Sequence, residues 1–202
     1  MKTASNIRRA IEEIPAGEPF TSSSLLSHGT RAAVDHALSR LARSGTITRV
    51  ARGVFVRPRV SRYIGSVLPD PEAVARAMAS QTGAKVQVSG AAAAVELQLS
   101  TQQPLASVFH TSGATRRFRM GSLEVTLKHV SPRRLALAGR PAGTALAALW
   151  YLGKREVDEA VIEQVRRRLP AGEFEALKAA APYQPAWMAA AFRRHEQGGR
   201  HA

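Results

Sequence analysis

The chain has 202 residues, 45% of them apolar, no cysteine, and a formal charge of +14 from 29 Lys+Arg against 15 Asp+Glu. Such a length allows one or two domains with real cores, and the lack of cysteine excludes disulfides, thiolate zinc sites and Cys nucleophiles. The charge points to a polyanionic partner, duplex nucleic acid first, with acidic membrane surfaces and acidic proteins as the alternatives. Residues 1–63 are the denser basic region, with 11 Lys+Arg against 4 Asp+Glu. Most of the cations are arginines, which fork onto phosphate better than lysines do. No run approaches the roughly 18 apolar residues of a membrane span. The start lacks the apolar run of a secretory signal, so the expected location is the cytoplasm.

Residues 3–14 predict a first helix, with Ile7, Ala10, Ile11 and Ile14 on one face and Pro15 as its end. A turn through Pro19 leads to a short second helix, Ser22 to Ser27, capped by Thr21 or Ser22. Ser22 and Ser23 at that helix start are candidate phosphate contacts; simple capping is the alternative. Gly29 turns the chain into a third helix, with Thr30 as N-cap and Gly45 as stop. Its Val34, Ala37, Leu38 and Leu41 share a buried face, while Ala32, His36, Ser39 and Arg43 lie opposite and Arg40 stands at the margin. Two β-forming runs, Thr46–Val50 and Val54–Val56, then flank Ala51-Arg52-Gly53 as a hairpin.

Three helices followed by an arginine-tipped hairpin have the layout of a winged helix-turn-helix, in which the third helix enters the major groove and the hairpin lies on phosphates. An ordinary small core with a solvated basic face is the alternative. In the first reading Arg31, His36, Ser39, Arg40 and Arg43 face the groove or its flanks, and Arg31 reaches a base edge from the helix start. Arg49, Arg52 and Arg57 hold the wing on the backbone. Residues 57–63 read as an exit segment or linker.

Asp70-Pro71 is a strong helix entry, and the helix runs from about Glu72 to Thr82. A short strand over residues 85–88 and a small-residue helix, Ala91 to Leu97, follow. Strands over 105–110, Arg116 to Met120 and Leu123 to Val130 read as an antiparallel meander with one wet face. The rest is helical, over 144–152, 156–169, 173–180 and 186–195, with 196–202 frayed. The expected fold class is therefore α+β: a winged helix-turn-helix at 1–60, then a mixed α/β domain at 66–195 with an antiparallel sheet and C-terminal helices.

Catalytic chemistry has no visible constellation. The six histidines lack metal-ligand spacing, so no metal site and no cofactor are expected. Gly121-Ser122 resembles the opening of a nucleotidyltransferase site, but Glu124 alone cannot build a two-metal clamp. No catalytic residues are assigned. Of three basic clusters, Arg116, Arg117 and Arg119 beside Phe118 make the best second patch for nucleic acid or an acidic partner; a solvated face is the alternative.

In order, Arg52-Gly53-Val54-Phe55-Val56-Arg57-Pro58, Val88-Ser89-Gly90 with its Ala-rich helix, the Leu99–Pro104 loop, Val108-Phe109-His110-Thr111 and a basic hairpin resemble the AbiEi-like antitoxin family of bacterial type IV toxin–antitoxin systems, over about residues 5–150. The resemblance implies a DNA-binding repressor of its own operon. It also implies an antitoxin that counteracts a nucleotidyltransferase-type toxin encoded alongside, without the need for a stable complex. The expected partners are double-stranded DNA of its own promoter region and that toxin, with no membrane. Two other readings remain open: a basic module that docks an acidic protein, and an RNA-processing enzyme.

Overall fold

The structure, a computed structural model, describes residues 2–63 and 65–198. By their internal contacts the residues form two compact units, Met1–Ala84 with Arg117–Val125, and Lys85–Arg116 with Thr126–Ala202. The fold is mixed α and β, with antiparallel strand pairing.

The first unit opens with α1 (Lys2–Glu13) and β1 (Pro19–Thr21). A 3₁₀ turn (Ser23–His28), α2 (Arg31–Arg43), β2 (Thr48–Ala51) and β3 (Val54–Val56) follow. Ile7 and Ile11 of α1 close on Leu25, Val34, Ala37 and Leu38, all buried, together with Ile47, Phe20 and Phe55. Each large side chain so buried contributes about 1.5–3 kcal/mol, which fixes α2 by its apolar face. The two phenylalanines stack across β1 and β3 with ring centroids 6.1 Å apart. β1 was expected to be the end of a turn at Pro19 and the entry of the second helix at Phe20 and Thr21. It is instead an outer strand in the order β1-β3-β2, with Phe20 opposite Phe55.

Two further elements belong to this unit. β4 (Arg59–Ser61) and β5 (Gly65–Val67) pair antiparallel where an exit segment or linker was expected. Gly65 at φ 70° supplies the left-handed turn that lets Ser61 face it. α3 (Pro71–Ser80) begins as its sequence predicts, with Asp70 accepting from the backbone N–H of Glu72 and Ala73 at 3.1 and 3.2 Å. Its Val74, Ala75, Met78 and Ala79 are buried as expected. The expected boundary at 60–66 placed it with the C-terminal residues; its contacts place it with β1, β2 and β3.

The second unit carries β6 (Val86–Val88), α4 (Gly90–Glu96) and β7 (Ser107–Thr111), and β8 (Arg116–Met120) and β9 (Leu123–His129), which follow in the chain, are divided between the two units. The second unit then adds α5 (Pro141–Glu156), α6 (Glu159–Arg168), α7 (Glu173–Ala180) and α8 (Ala186–Gly198). The residues Arg117–Val125 of the β8–β9 hairpin group with the first unit. Strand order is β6-β7-β9-β8, not the expected meander. β9 buries Val125 and Leu127, whereas β8 exposes Arg116, Arg117 and Arg119. A strand with apolar residues to bury suits an inner position, and one rich in charge suits an edge.

Behind the sheet, α4 and α5 pack closely through small residues, Ala93 and Ala94 against Ala145 and Ala148, all fully buried. Leu146, Leu149, Ile162, Val165, Leu177, Met188 and Phe192 complete this core. Glu173 of α7 reaches the start of α5, where it accepts from the Ala142 N–H at 2.9 Å and from Arg140 Nη2 at 2.9 Å. Those donors, the guanidinium first, hold its carboxyl below the ordinary range. Of the tail expected to fray, residues 196–198 complete α8; residues 199–202 lie outside the described ones.

Candidate nucleic-acid interface

α2 starts at Thr30, whose Oγ1 accepts from the Ala33 N–H at 3.3 Å. That cap satisfies one of the free amides of the first turn. With Val34, Ala37 and Leu38 inward, the helix exposes Arg31, Asp35, His36, Ser39, Arg40 and Arg43. Arg31 Nε donates to Asp35 Oδ2 at 3.0 Å, an exposed i,i+4 pair. Such a pair adds little stability, but it fixes the azimuth of the guanidinium and leaves its terminal nitrogens free to fork.

The β2–β3 hairpin turns through Arg52 and Gly53, since Ala51 is the partner of Val54. Gly53 sits at φ 72°, which a residue with a side chain adopts only at a cost. Gln81, just past α3, donates from Nε2 to the Arg52 carbonyl at 3.3 Å and so braces the tip. Arg49 Nε reaches the Ala51 carbonyl at 3.4 Å.

Between α2 and this hairpin lies an open concavity of about 620 Å³. Arg31, Asp35, Ser39 and Arg43 line it from the helix, Arg49 and Arg52 from the hairpin, and Gln81 from beside the tip. Four cations face one carboxylate across it. The ion pairs of this unit are Arg8–Glu12, Arg31–Asp35 and Arg76–Glu72. Arg43, Arg49 and Arg52 therefore have no carboxylate partner among the described residues.

The other candidate residues lie elsewhere. Ser22 stands in the wall of the concavity, but it is only 2% exposed and its Oγ is enclosed without a partner. Its N–H donates to the Gly53 carbonyl at 3.0 Å, so neither the expected N–H contact to phosphate nor the hydroxyl one is open. Ser23 is exposed, with its hydroxyl 2.8 Å from that of Thr21, which also accepts from the Ser24 N–H and is the true cap of the 3₁₀ turn. Arg57 is half-buried and donates from Nη1 to the carbonyls of Glu12 and Ile14 at 2.8 and 2.7 Å. It closes the C-terminus of α1 rather than holding a wing. Arg40 borders a separate hollow beside Ala4 and Arg8. His36 and Thr30 are exposed outside the concavity, as are Arg116, Arg117 and Arg119 on β8.

Sequence reasoning missed Asp35 and Gln81. The i,i+4 spacing of Arg31 and Asp35 was a usable signal; nothing in the sequence could bring Gln81 to Arg52. Among the described residues no three His, Asp or Glu side chains gather to hold a metal ion, and no helix is long and apolar enough to cross a membrane.

A helix exposing polar and basic groups beside an arginine-bearing hairpin defines a basic concave surface on a mixed α+β chain. The chain belongs to a family of unknown function, DUF6088, whose model matches residues 6–177. It is also similar to a solved structure, that of the RV2827C protein from Mycobacterium tuberculosis, with 17% identity, coverage of 94% of this chain and 80% of that one, and a TM-score of 0.47. Comparison with curated proteins finds no match.

Proposed function

We propose that this protein binds duplex DNA through a winged helix-turn-helix and represses transcription, its own operon included. The observation that carries the reading is the concavity where unpaired Arg43, Arg49 and Arg52 converge on the exposed face of α2. α2 is the helix that enters the major groove, and the β2–β3 hairpin is the wing on the adjoining phosphates. Neutralising phosphates releases counterions, so these arginines set affinity. Arg31, Asp35 and Ser39 are the side chains on α2 placed to read base edges. An Arg fork onto guanine and a carboxylate accepting from cytosine N4 are the matching chemistries.

The triple variant Arg43→Ala/Arg49→Ala/Arg52→Ala removes three exposed cations and leaves the apolar core intact. It should fold like the parent by circular dichroism. Its duplex affinity should fall for all sequences alike, and the slope of log K against log salt should shrink by about three. An unchanged slope would show that DNA binds elsewhere.

The resemblance to the AbiEi-like antitoxins extends the proposal to counteracting a nucleotidyltransferase-type toxin encoded alongside. Co-expression with the neighbouring gene tests that part: rescue of growth supports it, and a neighbour that is harmless alone removes it.

A further inference from the structure

A second cleft, of about 500 Å³, lies wholly within the second unit. Its size falls in the ordinary range of small-molecule sites. Its walls are largely apolar: Leu105, Ala106, Val108 and Ala147 line it together with the rings of Trp150 and Tyr151. Leu105 stands fully exposed at the rim, and Tyr151 is half-exposed. Apolar surface gathered in a concave wall of this kind suits a ligand that is itself partly apolar.

The polar groups of the cleft are all cationic or neutral. Lys128 and Arg134 line it, with the half-buried His110 of β7. No carboxylate lines the cleft, and neither cation has an ion-pair partner among the described residues. Burial first, then the charges of Arg134 and Lys128, hold His110 below the ordinary histidine value. The imidazole is thus uncharged at neutral pH and can donate or accept a hydrogen bond.

The arginine is held in place. Its guanidinium carbon lies 4.3 Å from the centroid of the Trp150 ring. This cation–π contact holds the guanidinium over the ring, and a guanidinium fork is the donor set that takes a carboxylate or phosphate. The indole is itself fixed: Trp150 Nε1 donates to Gln184 Oε1 at 3.1 Å, and Gln184 Nε2 donates to the Arg133 carbonyl at 3.2 Å. Gln184 is buried, so this support is preorganised rather than solvent-borne. Gly90 keeps the floor thin, because a Cβ there would come within 2.5 Å of Tyr151 Cβ and 2.7 Å of the Ala147 carbonyl.

From this juxtaposition of apolar walls, aromatic rings and two unpaired cations, we infer that the cleft binds a small amphipathic organic anion, an aromatic or apolar body carrying one carboxylate or phosphate. The body fills the apolar walls against Tyr151 and Leu105, and the anionic head takes Arg134 and Lys128. The inference does not depend on the proposed DNA binding.

Calorimetric titration of the full chain with three probes of one shape tests the inference: 2-naphthoate, 2-naphthyl phosphate and uncharged 2-naphthylmethanol. At least one anion should bind about tenfold or more tightly than the alcohol. The tighter of the two anions identifies the head group. Arg134→Gln should weaken that anion by about tenfold or more, and Lys128→Gln, which alters an exposed side chain, should weaken it in the same direction with the fold unchanged by circular dichroism. Equal affinity for the alcohol and the anions would overturn the inference. So would no binding of any probe up to about 1 mM, or an unchanged affinity in both variants.

Discussion

Asp35 is the acidic residue of α2, and it holds Arg31 by one nitrogen on the exposed face. In the proposed complex the two side chains act together: the pair orients the guanidinium, and the carboxylate offers an acceptor to a cytosine amino group. Asp35→Asn should therefore change sequence preference at one base pair, by about 1–3 kcal/mol. Selection from a random duplex library reads that shift; an unaltered consensus would remove Asp35 from base readout. Arg57 behaves oppositely. Its guanidinium joins β3's end to the carbonyls that close α1. Arg57→Ala should lower stability by about 1–2 kcal/mol, seen in thermal unfolding, and leave the salt slope of DNA binding unchanged. Spacing showed that Arg57 follows a strand, but a side chain's partner 43 residues away is a tertiary fact. Ser22 was misread as a phosphate contact for a similar reason: its N–H goes to the Gly53 carbonyl of the distant hairpin, and the residue is buried.

Among the elements, the long periodic ones were legible and the short ones were not. α2 was read to within a residue or two because Val34, Ala37, Leu38 and Leu41 repeat at helical spacing and Thr30 and Gly45 bound them. α3 was equally clear through its Asp-Pro entry. β1, β4 and β5 have three residues each, too few to show a period, and exist only because β3 or each other supplies hydrogen bonds. The order β6-β7-β9-β8 was hidden because strand pairing is not local, although the charge of β8 already marked it as an edge. The small-residue helix α4 was legible in the sequence, and its contact with α5 shows how closely such a helix packs. Gly90→Ala should cost about 1–3 kcal/mol through overpacking against the Tyr151 Cβ and a backbone carbonyl. Chemical denaturation measures it; a neutral result would mean that the α4–α5 spacing is loose.

For the whole molecule, the +14 charge makes salt and pH the natural variables. In the second unit Glu163 gathers Arg166, Arg167 and His195 at 2.7–3.0 Å. Arg166 first, then His195 and Arg167, hold its carboxyl far below the usual range. A carboxyl whose pKa is depressed by folding stabilises the fold above its unfolded value, near 4.3, and loses that contribution as pH falls. Glu163→Gln should therefore melt below the parent at pH 7, with the gap narrowing below about pH 4. A gap that stays constant with pH would assign Glu163 a packing role only. Charge density in residues 1–63 was visible in the sequence, but its convergence on one concavity was not, because that needs α2, the hairpin and Gln81 in place together.

The most direct test of the proposed function is the affinity of the purified protein for duplex DNA from upstream of its own gene against a scrambled duplex, at low and near-physiological salt. The account predicts a preference for the upstream DNA that persists at the higher salt, since base contacts survive when counterion release weakens. Equal binding to both duplexes, collapsing together as salt rises, would contradict it and leave only the attraction of a +14 chain for a polyanion.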